Sequence, residues 1–90
     1  MSNYVYILEC SDKSYYTGYT NNLEKRINNH NNKKASKYTR SRVPVKYVFI
    51  HKCVNKIEAT RFEYKIKQLS KNKKEKLIKG LFVLEELFNI

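Results

Sequence analysis

Two runs rich in aromatic and β-branched residues, 4–10 and 15–19, separated by four turn formers, constrain this fold more than any other feature of the chain. Tyr4-Val5-Tyr6-Ile7-Leu8-Glu9-Cys10 has the composition of a strand. Ser11-Asp12-Lys13-Ser14 supplies turn residues, and the run from Tyr15 to Tyr19 returns as a second strand, so the N-terminus predicts an antiparallel hairpin. Strand alternation puts Tyr4, Tyr6 and Leu8 on one face of the first strand, and Tyr16 and Gly18 on one face of the second. Gly18 has no Cβ, which predicts space beside Tyr16 for another backbone or a ligand.

Helical spacing follows. Asn21 with Glu24 three residues on resembles a capping pair, and Leu23, Ile27 and His30 recur at helical intervals. Arg26 and His30 are four apart and so project from one face. Residues 31–42 are polar and basic and read as a loop with at most a short helical turn. Pro44 precedes a third strand over 46–51. Asn55 to Glu58 opens another helix, whose core stripe is Ala59, Phe62, Ile66 and Leu69, with Glu63 at its border. Ser70 breaks this run and caps a very basic helix over 71–79, stopped by Gly80. The order ββ-α-β-α-α predicts an α+β fold, an antiparallel sheet with helices packed on it. Ninety residues allow one domain with one modest core, assigned to 1–80, followed by an apolar, acidic tail over 81–90. At helical spacing Leu81, Leu84 and Phe88 form a stripe with Leu87 beside it, which predicts either packing on the domain's own core or a dimer or partner contact.

Charge narrows the partners. Nineteen Lys and Arg against eight Asp and Glu give a formal charge of +11, which favours a polyanion. Ribosomal and membrane-surface proteins share such a balance. No signal peptide is visible, and no apolar run approaches a membrane span, so a soluble, cytosolic chain without a membrane partner is expected. Cys10 and Cys53 fit neither a metal-ribbon spacing nor a disulfide framework and read as buried, reduced thiols.

Set against a polyanion, five residues form a kit for phosphodiester chemistry. Hydrolysis needs a positioned water, stabilisation of transition-state charge and help for the departing oxygen. Glu63 can hold one Mg²⁺, Arg26 offers a planar fork for non-bridging oxygens, Tyr6 and Tyr16 can relay protons, and His30 can assist. Each alone has a plainer use: sheet-face aromatic for the tyrosines, solvated helix cation for Arg26, core-margin donor for His30, surface ion pair with Lys67 for Glu63. Their joint occurrence in this order is what carries weight.

That joint pattern resembles the GIY-YIG endonuclease superfamily. Tyr4-Val5-Tyr6 stands at the first triplet and Tyr16-Thr17-Gly18 at the second; the helix arginine falls on Arg26, a histidine common in several branches on His30, and the metal-binding glutamate on Glu63. Ser36-Lys37-Tyr38-Thr39-Arg40 and Ile66-Lys67-Gln68-Leu69-Ser70 look like the small single-domain bacterial branch. Tyr4, Val5 and Thr17 depart from the usual glycine and isoleucines. The resemblance spans roughly residues 3 to 79. It implies a three-stranded antiparallel sheet flanked by helices, Mg²⁺ or Mn²⁺ as cofactor, and hydrolysis of DNA, with repair or recombination as settings. Backbone grip is expected from Lys33, Lys34, Lys37, Arg40 and Arg42 and from Lys71, Lys73, Lys74 and Lys76. No attached targeting domain is evident, so a protein partner or self-association is expected to supply specificity. The alternatives are a non-catalytic nucleic-acid-binding module on the same scaffold, and an adaptor, for which the tail is the support.

Overall fold

A computed structural model of the chain describes residues 2–84 and Glu86. Strands β1 (Asn3–Glu9) and β2 (Tyr15–Thr20) form the hairpin, and β3 (Lys46–Cys53) pairs on the other side of β1, so the sheet order is β2-β1-β3 with every pairing antiparallel. Helices α1 (Leu23–Asn31) and α2 (Lys37–Arg40) lie between β2 and β3, and α3 (Lys56–Lys67) and α4 (Lys71–Ile78) follow. The three-stranded α+β architecture matches the expectation.

Local chemistry sets the element ends. Asn55 and Ser70 cap α3 and α4, accepting from the N–H groups of Glu58 and Lys73. The cap of α1 is Asn22 rather than Asn21: its side chain accepts from Lys25 N–H, while its own N–H donates to Thr20 Oγ1. The strand end thus holds Asn22 in the extended conformation a cap requires. Between α1 and β3 the basic segment contains a true helical turn capped by Ser36, whose hydroxyl accepts from Tyr38 N–H. β3 runs two residues further than its apolar pattern predicts, because pairing with β1 continues to Cys53 opposite Asn3.

Both faces of the sheet are covered. On the first, Val5, Ile7 and Cys53 pack with Ala59, Phe62 and Ile66 of α3 and Leu77 of α4. Leu84 is 3 % exposed in this cluster and Phe82 packs at its edge, whereas Leu81 stays in solvent. Gly80 reverses the chain at φ 77, so residues 81–83 do not continue a helix and Leu81 does not share the burial of Leu84. Phe88 and Leu87 of the expected stripe lie outside the described residues. On the second face Tyr6, Leu8, Cys10 and Val45 pack with Tyr16, Ile27 and Tyr47. Both cysteines are buried free thiols. No helix among the described residues is long and apolar enough to cross a membrane.

The space left by Gly18 is filled from within. Gly18 pairs directly with Tyr6, and a Cβ built on it would meet Tyr6 Oη at 2.5 Å and Cζ at 2.8 Å. The expected opening beside Tyr16 is the seat of the Tyr6 ring, because cross-strand neighbours share a face and the larger one leans over the smaller. Gly18→Ala should therefore displace the Tyr6 phenol and lower stability by about 1–3 kcal/mol, read from the denaturant midpoint.

Candidate active site

The Tyr6 side chain, 1 % exposed, is the centre of the second face. Its hydroxyl lies 2.9 Å from His30 Nε2, and its ring meets Tyr47 edge-on at 5.3 Å between centroids. His30 reaches it because α1 turns its last residues back over the sheet, and three hydrogen bonds fix that helix. Tyr47 Oη donates to Leu23 O (2.7 Å), and the Asn31 amide exchanges two hydrogen bonds with the backbone of Val45.

His30 is fully buried, and both its ring nitrogens are used: Nδ1 lies 2.9 Å from Thr39 Oγ1. Thr39 in turn donates to Ser36 O at 3.4 Å. The tautomer that gives every proton an acceptor has the Tyr6 phenol donating to Nε2 and Nδ1–H donating to Thr39. Burial and then the Arg26 charge push the imidazole pKa down to about 4, so the ring is neutral at physiological pH. A ring this enclosed cannot touch a phosphate, which leaves proton handling as the chemistry open to it.

Electrostatics bring in the remaining members. Burial raises the Tyr6 pKa well above the ordinary phenol value; the Arg26 guanidinium opposes the shift, while Tyr16, Tyr47 and Glu63 add to it. All four groups therefore act on one phenol. Burial also pushes Tyr47 up to about 12, again opposed by Arg26. Tyr16 is half-buried, its ring 5.3 Å from His30 by centroids. Glu63 is the member contributed by α3; its side chain is 21 % exposed and its carboxylate lies 3.5 Å from Lys67 Nζ. The five predicted residues thus form one constellation.

Three residues that sequence reasoning passed over complete it. Thr39 closes the chain from Tyr6 through His30, and Tyr47 packs against the Tyr6 ring. Tyr38 stacks on Tyr16 at 6.1 Å with 24° between planes, and the Arg42 guanidinium lies 4.0 Å above the Tyr38 ring. Arg42 also donates to Tyr38 O (2.8 Å) and to Asp12 Oδ2 (3.0 Å), bracing α2 against the hairpin turn. The string Ser36-Lys37-Tyr38-Thr39-Arg40 carried the signal, yet its hydroxyl and ring acquire roles only through partners distant in sequence.

The basic residues divide between two places. Lys33, Lys34, Lys37 and Arg40 line one open hollow with Ser36, next to the segment that holds His30 and Tyr16. Arg42, expected among the gripping cations, is engaged in the brace. Helix α4 packs on the opposite face of the sheet through Leu77. There Lys71 Nζ sits over the Tyr15 ring and Lys73 Nζ over Phe82, each at 5.6 Å, and burial lowers the Lys74 pKa. The ammonium groups of Lys71 and Lys73 already serve intramolecular contacts.

The neutral, buried His30 has a measurable consequence. An unfolded imidazole titrates near 6.5 and the folded one near about 4, so between these values the unfolded chain binds more protons and stability falls as the pH is lowered. Over that window His30 should account for a loss on the order of 2–3 kcal/mol. Unfolding free energies of the wild type and His30→Gln, followed from pH 7 to 4, should show a shallower acid slope in the variant.

A model of the GIY-YIG catalytic domain matches residues 2–76. The chain is 56% identical over 84 residues to a UPF0213 protein of Clostridium perfringens, covering 93% of this chain and 90% of that one. It is 54% identical over 76 residues to a UPF0213 protein of Oceanobacillus iheyensis, covering 84% and 88%. Among solved structures it resembles the solution NMR structure of a UPF0213 protein from Bacillus halodurans, with TM-score 0.57, 49% identity, and 88% and 84% of the two chains covered. An E. faecalis protein solved by NMR gives TM-score 0.63 at 37% identity, covering 90% and 86%. The match over 2–76 takes in both tyrosine strands, the Arg26–His30 helix and Glu63, and with it the chain belongs to the GIY-YIG catalytic-domain family, a nuclease-type fold, among its small bacterial UPF0213 members.

Proposed function

We propose that this protein is a divalent-metal-dependent endonuclease that hydrolyses DNA phosphodiester bonds. The observation that carries the reading is the gathering of a carboxylate, a guanidinium, a second tyrosine and a neutral imidazole around the single phenol of Tyr6. The donor set suits a hard cation. Glu63 presents a part-exposed carboxylate whose partner Lys67, itself half in solvent, can turn away. Mg²⁺ or Mn²⁺ takes one or two such oxygens and fills its other positions with water and phosphate. When bound, the cation supplies Lewis-acid stabilisation of charge on the phosphate.

The protein's own groups do the rest. Arg26 faces the same phenol and offers its fork to the non-bridging oxygens, where negative charge grows in the transition state. Tyr16, open on one side and held on the other by Tyr38, orients the attacking water. Tyr6 accepts that water's proton as its own passes to His30 Nε2 along the existing hydrogen bond. A proton acceptor must be empty beforehand, and the lowered pKa of His30 keeps it so. The hollow lined by Lys33, Lys34, Lys37 and Arg40 holds the DNA backbone without reading bases. Repair or recombination intermediates, in which DNA is branched or unpaired, are the substrates assigned to it.

The test is cleavage of plasmid and branched DNA with Mg²⁺ or Mn²⁺ and with chelator. Glu63→Gln should lower the rate by about 10²-fold or more while leaving metal-free DNA binding intact. Arg26→Lys should slow cleavage with a near-normal melting temperature, since charge is kept and the planar fork is lost. Metal-independent DNA binding without any cutting would instead favour the non-catalytic module. Replacing Lys33, Lys34, Lys37 and Arg40 by Gln should reduce the salt slope of DNA binding by about 0.9 for each phosphate no longer neutralised. The same change at Lys71, Lys73, Lys74 and Lys76 should have the smaller effect, as measured by fluorescence anisotropy across a salt series.

A further inference from the structure

The junction between β3 and α3 gathers three ligand-type side chains that the proposed hydrolysis does not use. His51 and Cys53 are two apart on β3, so alternation turns both to the same face, and Glu58 follows in the first turn of α3. The ring nitrogen, sulfur and carboxylate oxygen they offer all lie within 4.8 Å of one another; among the described residues this is the one such group. Each donor is held in place. The His51 ring sits edge-on to Phe62 at 5.4 Å, Cys53 Sγ–H points to His51 O at 3.7 Å, and Glu58 Oε1 accepts from Val54 N–H at 3.0 Å, leaving its second oxygen.

The chemistry of this set selects its ion. Mg²⁺ takes oxygen donors in near-octahedral geometry and has no use for a thiol. One sulfur, one imidazole nitrogen and one carboxylate oxygen suit a borderline tetrahedral cation. Around Zn²⁺, with bonds of about 2.0–2.3 Å, ligand atoms stand roughly 3.3–3.7 Å apart. Closure therefore asks for side-chain shifts of about 1 Å, which the part-exposed His51 and Glu58 can supply. We propose that His51, Cys53 and Glu58 form a Zn²⁺ site, completed by water, that staples the end of β3 to the first turn of α3.

This site is distinct from the catalytic constellation. Glu58 and Glu63 are five residues apart, so they lie about 7.5 Å apart along α3 and about 140° apart around it. His51 stands opposite Val5, in the first-face cluster, whereas Tyr6 belongs to the second. Binding exchanges the Cys53 S–H bond for S–Zn and releases one proton to solvent, with no change of oxidation state, so affinity should fall with acidity. The proposal stands whether or not the protein cuts DNA.

Titrating the reduced, metal-free full chain with Co²⁺ reads the site directly. One equivalent should produce thiolate-to-cobalt charge-transfer absorption with tetrahedral visible bands, displaced by Zn²⁺ and not by excess Mg²⁺. The charge-transfer band should vanish in Cys53→Ser and persist in Cys10→Ser and Glu63→Gln. His51→Gln and Glu58→Gln should weaken Co²⁺ binding at least about ten-fold, since even outer partners of metal ligands cost that much. Glu58→Gln keeps an oxygen for Val54 N–H, so its fold is preserved, and it carries the test together with His51→Gln should Cys53→Ser fail to fold. Zn²⁺ should raise the melting temperature of the wild type and not that of His51→Gln. Absence of charge transfer at equimolar Co²⁺, its survival in Cys53→Ser, its loss in Glu63→Gln, or unchanged affinity in both Gln variants at 51 and 58 would overturn the proposal.

Discussion

The hydrogen bond between the Tyr6 hydroxyl and His30 Nε2 is the interaction on which the second face of the protein is built. A buried phenol and a buried imidazole each carry a large desolvation cost, and each satisfies the other. For the bond to form, β2 must present Gly18 under the Tyr6 ring, α1 must carry His30 over the sheet, and β3 must bring Tyr47 to the ring's edge. Those demands tie the hairpin, the first helix and the third strand to one point. The Asn31 amide on Val45 and the Tyr47 hydroxyl on Leu23 reinforce the same junction, so α1 is fixed at both ends.

The same bond makes the site chemically unusual for so basic a chain. With a formal charge of +11, the protein has ample means to attract a polyanion, and its difficulty is to keep proton acceptors empty beside those cations. Burial supplies the answer at His30: desolvation and the Arg26 charge both disfavour the imidazolium, and the ring stays neutral. Attraction and proton handling are thus separated in space. In the proposed function the open hollow of Lys33, Lys34, Lys37 and Arg40 would do the first, and the enclosed Tyr6–His30–Thr39 chain the second.

The short helix α2 links the two. One turn long, it sends Thr39 inward to His30 and Tyr38 sideways onto Tyr16, while Arg42 just beyond it anchors the segment to Asp12 in the hairpin turn. Isolated, a four-residue helix is far below the length at which helices hold themselves together. Its order comes from these tertiary contacts, which make the segment that lines the basic hollow also the brace for both tyrosines.

Much of this was legible locally. The hairpin follows from strand composition and the Ser11–Ser14 turn, and α3 and α4 from the capping residues Asn55 and Ser70 with their apolar spacing. The five site residues stood out by type, order and resemblance to a family, which the match over 2–76 bears out at the level of family and fold. Other features needed partners that no local pattern names. That Gly18 makes room for Tyr6 rather than for a ligand, that His30 is sealed from phosphate, and that Arg42 is a brace all depend on residues 12 to 30 positions away. The roles of Tyr38, Thr39 and Tyr47 were hidden in the sequence for the same reason. Alternation, capping and charge are properties of neighbouring residues, and the sequence alone determined them. Burial, and with it the protonation state of each titratable group, is a property of what packs on top, and only the tertiary structure decided it.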